Sequence, residues 1–145
     1  MKKILLLLAI TLFYSTGIIA QNKATYTSSQ NGNWHSAATW GNVGVPSTND
    51  TAIIDGEIVI IANDGNGGSD VTLTTLTFTS GTLTLRNDLT LSNTGGSSAT
   101  SSGTTLTLES GNLTISDGNF TNAGDISIGA GQKMIFSSGT GDTFT

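Results

Sequence analysis

Through the second half of this chain a pair of apolar residues, two apart, returns every few residues: Leu83/Leu85, Leu89/Leu91, Leu106/Leu108, Leu113/Ile115, Ile126/Ile128 and Met134/Phe136. Thr or Ser fills most of the alternate places. A spacing of two puts both members of a pair on one face of a strand. A short strand that buries one face and shows hydroxyls on the other is not stable alone, so the return of the pair implies that similar units stack.

The pairs also repeat on a longer period. Leu83/Leu85, Leu106/Leu108 and Ile126/Ile128 fall 23 and then 20 residues apart, and Leu89/Leu91, Leu113/Ile115 and Met134/Phe136 fall 24 and then 21 apart. A third series of Phe78, Ala99, Phe120 and Phe144 steps by 21, 21 and 24, with Ala99 as its weakest member inside a polar stretch. Three strand faces per turn on such a period predict a right-handed parallel β-helix, a solenoid of the pectin-lyase-like kind, with about four rungs. The competing architecture is an antiparallel β-sandwich, whose hairpins would be marked by Asn-Gly or Asp-Gly; Asp117-Gly118 is the best example in the repeat zone.

Residues 1–20 read as a secretory signal peptide: Lys2 and Lys3 precede the apolar run from Ile4 to Phe13, and Ile18-Ile19-Ala20 ends on a small residue, with cleavage expected before Gln21. The run is short for a membrane span, and a retained amino-terminal anchor is the alternative. The chain is therefore expected to be secreted or held at the cell surface, with no membrane span once the signal is removed. It has no Cys, so the fold does not rest on disulfides, as that of a small secreted domain often does. The remaining 125 residues suffice for one domain, divided here into a cap with the first strand at 21–56 and the rungs at 57–145. In the mature chain the three bases Lys23, Arg86 and Lys133 stand against ten acids, a formal charge of −7 that argues against nucleic acid or an anionic surface as partner.

From Gln30 to Gly56 the repeat is absent. The open end of a β-helix exposes core and unpaired backbone, and Trp34 and Trp40 are placed to cover it, with burial expected near Ile53 and Ile58. The segment, through Trp34, Thr39, Trp40, Val45, Pro46, Asn49, Asp50, Ala52, Ile54 and Gly56, resembles an amino-terminal module of secreted β-helical, adhesin-like proteins of Gram-negative bacteria that use the type IX export route. It is more distantly similar to the opening of the eight-glycine extracellular domain. The resemblance implies a secreted β-helical or adhesin-like protein and carries no catalytic residues. Such proteins are usually longer. The last residues, Gly139 to Thr145, read as the middle of another rung without a polar cap, which predicts a fragment or an end covered by another segment or by self-association.

Candidate chemistry is sparse. In the loop from Asn63 to Asp70, Asp64, Asn66 and Asp70 could offer oxygen ligands to calcium, although the loop departs from the tandem calcium repeat and Asp/Asn/Gly clusters commonly serve as turns. No other cofactor is expected. Trp34 and Trp40 could instead form a sugar-stacking platform for an extracellular polysaccharide. His35 has no accompanying nucleophile motif, and the acids Asp50, Asp55, Glu57, Asp88, Glu109, Asp117 and Asp125 are scattered, so no catalytic residues are assigned. Arg86 is expected to pair with Asp88, and Asp50-Thr51-Ala52 has the form of a short bacterial O-glycosylation acceptor. The reading that results is a non-enzymatic extracellular or cell-surface stem of an adhesin-like protein, whose partner would be a polysaccharide or a host or neighbouring surface. The alternatives are the amino-terminal part of a β-helical polysaccharide lyase or hydrolase with its active site beyond residue 145, and a carbohydrate-binding module.

Overall fold

The computed structural model describes residues 23–62, 69–94, 96–137 and 144–145. The apolar pairs become short strands because alternation suits a ribbon with one face buried. Two partial strands come first, β1 (Thr25–Thr27) and β2 (Gly32–Asn33), followed by a 3-10 turn (Ala37–Trp40). The first full turn is made by β3 (Thr51–Ile61) and β4 (Val71–Leu73), and the second by β5 (Thr75–Leu85) and β6 (Leu89–Leu91). The third consists of β7 (Ser97–Thr100), β8 (Thr105–Leu108) and β9 (Leu113–Ile115), and the fourth of β10 (Asn119–Asn122), β11 (Asp125–Ile128) and β12 (Met134–Phe136). Among the described residues every strand pairing is parallel. The chain is an all-β parallel solenoid, and the antiparallel sandwich is excluded.

The long strands β3 and β5 each turn a corner. Their register shifts between Ile54 and Ile58, where Gly56 and Gly81 hold φ of +91° and +98°. At Gly81 a Cβ would also collide with the Glu57 carbonyl of the turn above, so only glycine fits the corner. Each of these strands thus contributes to two of the three faces.

Two interior columns fall as the periodicity predicts. Leu83, Leu106 and Ile126 stack in register, as do Leu85, Leu108 and Ile128, and Val59 and Ile61 of β3 extend both columns upward. On another face Leu89, Leu113 and Met134, and Leu91, Ile115 and Phe136, form the ladder that Val71 and Leu73 extend. Leu83, Leu85, Leu89, Leu91, Leu108 and Leu113 are wholly buried. Each such side chain contributes about 2 kcal/mol by leaving water.

The third series is corrected. Ala99 faces outward, paired between Thr77 and Thr121, while its neighbours Ser98 and Thr100 point into the core. Phe78 stacks on Thr100 and Phe120 on Ser98, so the two phenylalanines stand two residues out of register; Phe120 and Phe144 do pair. Burying two hydroxyls is tolerable because each is satisfied. Ser98 Oγ donates to Asn93 Oδ1 at 2.6 Å and accepts the Leu76 N–H at 2.9 Å. Thr100 Oγ1 donates to Asn122 Oδ1 at 2.6 Å and accepts from the Ala123 and Gly124 N–H groups.

Gly56 lies within β3, and β1 and β2 before it both pair in parallel with β3. Among the described residues no helix is long and apolar enough to cross a membrane.

Candidate functional site

The amino-terminal end is built around the two indoles. Asn33 at the end of β2 fixes the chain there: its Nδ2 donates to Ala62 O, its Oδ1 accepts the His35 N–H at 2.8 Å, and its carbonyl accepts Thr39 Oγ1 at 2.7 Å. The 3-10 turn then folds Trp40 back onto Trp34, the rings meeting edge to face at 4.6 Å and 72°. Each indole N–H is bonded, Trp40 Nε1 to Trp34 O and Trp34 Nε1 to Pro46 O. Both residues are at most 1% exposed. Lids over the coil, they pack into one core with Ala52, Ile54, Val59 and Ile61. Ile53 and Ile58, expected beside them, belong to the outer side, and Ile58 is 49% exposed. With no ring face open to solvent, Trp34 and Trp40 in this conformation offer no platform to a sugar.

Asp50 gathers the loop that follows the lid. Its carboxylate accepts the N–H of Ala24 and both the N–H and Oγ of Ser47, and its carbonyl accepts the Thr74 N–H. Thr51 Oγ1 is within 2.8 Å of Thr75 Oγ1, so the hydroxyl of the Asp50-Thr51-Ala52 triplet is engaged in the ladder. The loop is thereby held across the top of the third face but leaves a cleft of about 330 Å³, lined by His35, Val45, Pro46, Ser47, Thr48, Asp70, Val71 and Thr72. His35 Nε2 sits 3.0 Å from Ser69 O at its rim. The sequence gives no motif for this cleft, because its walls come from three separate segments.

Of the proposed calcium ligands, Asp64 and Asn66 lie outside the described residues. Asp70 does not stand free: its Oδ1 accepts the Asp88 N–H at 3.0 Å. That contact begins a ladder along one corner. Asp88 Oδ1 accepts the N–H and Nδ2 of Asn112 at 2.7 and 3.0 Å, and Asn112 Oδ1 accepts the Lys133 N–H at 3.0 Å. Asp88 is therefore committed to the next turn, and Arg86 pairs instead with Glu109, Nε to Oε2 at 2.8 Å, with both side chains about half exposed. Two further acids likewise tie turns together: Asp55 accepts from Thr79 and Ser80, and Glu57 from Ser28. Among the described residues no three His, Asp or Glu side chains converge to hold a metal. In comparisons with known proteins, no family model, no curated protein and no solved structure matches this chain significantly.

Proposed function

We propose that the chain is a non-enzymatic extracellular or cell-surface β-helix, serving as the stem of an adhesin-like protein exported through the signal peptide at residues 1–20. The observation that supports it most is the parallel stacking of each described turn on the next, reinforced by side-chain ladders at the corners. Such a coil is stiff along its axis and advances by roughly 4.8 Å per turn, the spacing of paired strands. Whatever the coil carries is displaced from its point of attachment in fixed steps. The carboxylates of Asp50, Asp55, Glu57, Asp88 and Glu109 are engaged in bonds between turns, which suits a mechanical role.

The partner in this reading is an extracellular polysaccharide or a neighbouring surface, reached by what the stem carries. Association through the coil's carboxyl-side face belongs to the same proposal, since Ile128, Phe136 and Phe144 there are 39% to 52% exposed although they continue the buried columns. The test is localisation and processing in the producing cell. An epitope appended after Thr145 should be reached by antibody on intact cells, and amino-terminal sequencing of that form should begin at Gln21. An unprocessed chain retained inside the cell would sink the proposal.

A further inference from the structure

A strand at the edge of a sheet leaves half of its backbone groups without ladder partners. β11 is such a strand: β8 lies above it, and among the described residues no strand lies below. The N–H groups of Asp125 and Gly129 donate upward, to Thr104 O and Leu108 O. Successive residues of a strand aim their backbone groups to opposite sides, so Ser127 also faces up, and the N–H and C=O of Ile126 and Ile128 face down. The side chains of these two residues continue the buried columns of Leu106 and Leu108, yet Ile128 is 50% exposed. The corner that follows is closed by the Gln132 N–H donating to Gly129 O at 3.2 Å, which brings Lys133 back beside Gly129. Lys133 and, at the other end of β11, Asp125 are exposed, and neither enters an ion pair among the described residues. The free edge is thus acidic at one end and basic at the other.

We propose that β11 pairs antiparallel with β11 of a second copy of this chain, joining two coils base to base about a two-fold axis that passes beside Ser127. This names the partner for the association at the carboxyl-side face in the reading above, on which it rests. The register follows from the free backbone groups. With Ser127 opposite its own counterpart, Ile126 of each copy stands opposite Ile128 of the other, and each such pair exchanges both N–H···O=C bonds, the arrangement of a hydrogen-bonded antiparallel pair. The downward donors and acceptors of both isoleucines are then met, and their side chains stay on the inner face, each column closed by the other copy's. The same operation sets Asp125 against Gly129 of the second copy, within reach of the Lys133 at that corner, so acid meets base at both ends of the joint. A two-fold interface requires such self-complementarity. The opposite end of the coil is covered by the buried Trp34 and Trp40, so a second copy meets this edge with its own carboxyl-side face rather than with its lid.

The experiment is sedimentation equilibrium of the purified chain over a range of concentrations. A monomer–dimer equilibrium without larger species is expected, since a two-fold joint closes on itself. Lys133→Glu and Asp125→Lys each set like charges together at both ends of the joint, and each should weaken the dimer about tenfold. Asp125→Lys together with Lys133→Glu in one chain exchanges the charges and should restore the parent's affinity, and so should an equimolar mixture of the two single variants. Circular dichroism shows whether each variant keeps the fold; if one does not, the other decides against the parent. A chain that stays monomeric, that grows into open-ended aggregates, or whose dimer is indifferent to both charge reversals overturns the proposal. These outcomes are read on purified protein and leave export untouched, which the localisation experiment tests separately.

Discussion

Ser98 shows how one hydroxyl can replace a hydrocarbon in the middle of a core. It is wholly buried and replaces one rung of the backbone ladder by accepting the Leu76 N–H, while donating to Asn93, itself 2% exposed and held by the Asn119 carbonyl. Ser98→Ala leaves the Leu76 N–H and Asn93 Oδ1 without partners and is expected to cost about 1–3 kcal/mol. A urea unfolding midpoint would register that loss, and a midpoint unchanged from the parent would mean that water replaces the hydroxyl. Trp40 illustrates the opposite case, a large apolar group whose only polar atom is satisfied. Trp40→Ala should destabilise by about 3–5 kcal/mol, read by the same measurement.

Among the elements, the strands that sequence could identify are those whose interior positions are apolar. β6, β8 and β9 coincide with the predicted pairs because burial and alternation agree there, and β11 and β12 coincide through alternation and pairing, with Ile128 and Phe136 50% and 39% exposed. β7 escaped because its inward residues are Ser98 and Thr100, so a rule that places Ala99 inside and hydroxyls outside inverts the strand. β1 and β2 escaped for another reason: they are three and two residues long and carry no apolar pair, and only their pairing with β3 makes them strands. The lid was legible from two tryptophans, while the cleft beside it was not, since no local pattern reports where a loop crosses an open edge. The Asp70–Asp88–Asn112 ladder left a trace, an Asp or Asn at the same corner in three successive turns, which is visible only once the turns are aligned. Asp88→Ala should cost about 1–2 kcal/mol through the lost bonds to Asn112, and Asp88→Asn, which keeps an acceptor, should restore most of it in thermal unfolding.

At the scale of the whole molecule, one continuous core runs from Trp34 to Phe120. Leu108 lies in the third turn with Leu85 above it and Ile128 below. Leu108→Asp places an unpaired charge between them and should cost several kcal/mol, abolishing the cooperative transition seen by circular dichroism on heating. The neighbouring outward Thr107→Asp should change stability by less than about 0.5 kcal/mol. Equal effects of the two would contradict the stacking.

The corner ladder has a genetic consequence. Asp88 and Asn112 differ by 24 positions and occupy equivalent places in successive turns. A tandem duplication of residues 88–111 would therefore insert one whole turn, placing each ladder residue beneath its predecessor and leaving the lid and all other turns with the neighbours they had. Replication slippage over a coil of this kind changes its reach at the cost of one new seam, where the first copy's Asp88 meets a second Asp88 in place of Asn112, so length is a trait on which selection can act in discrete steps.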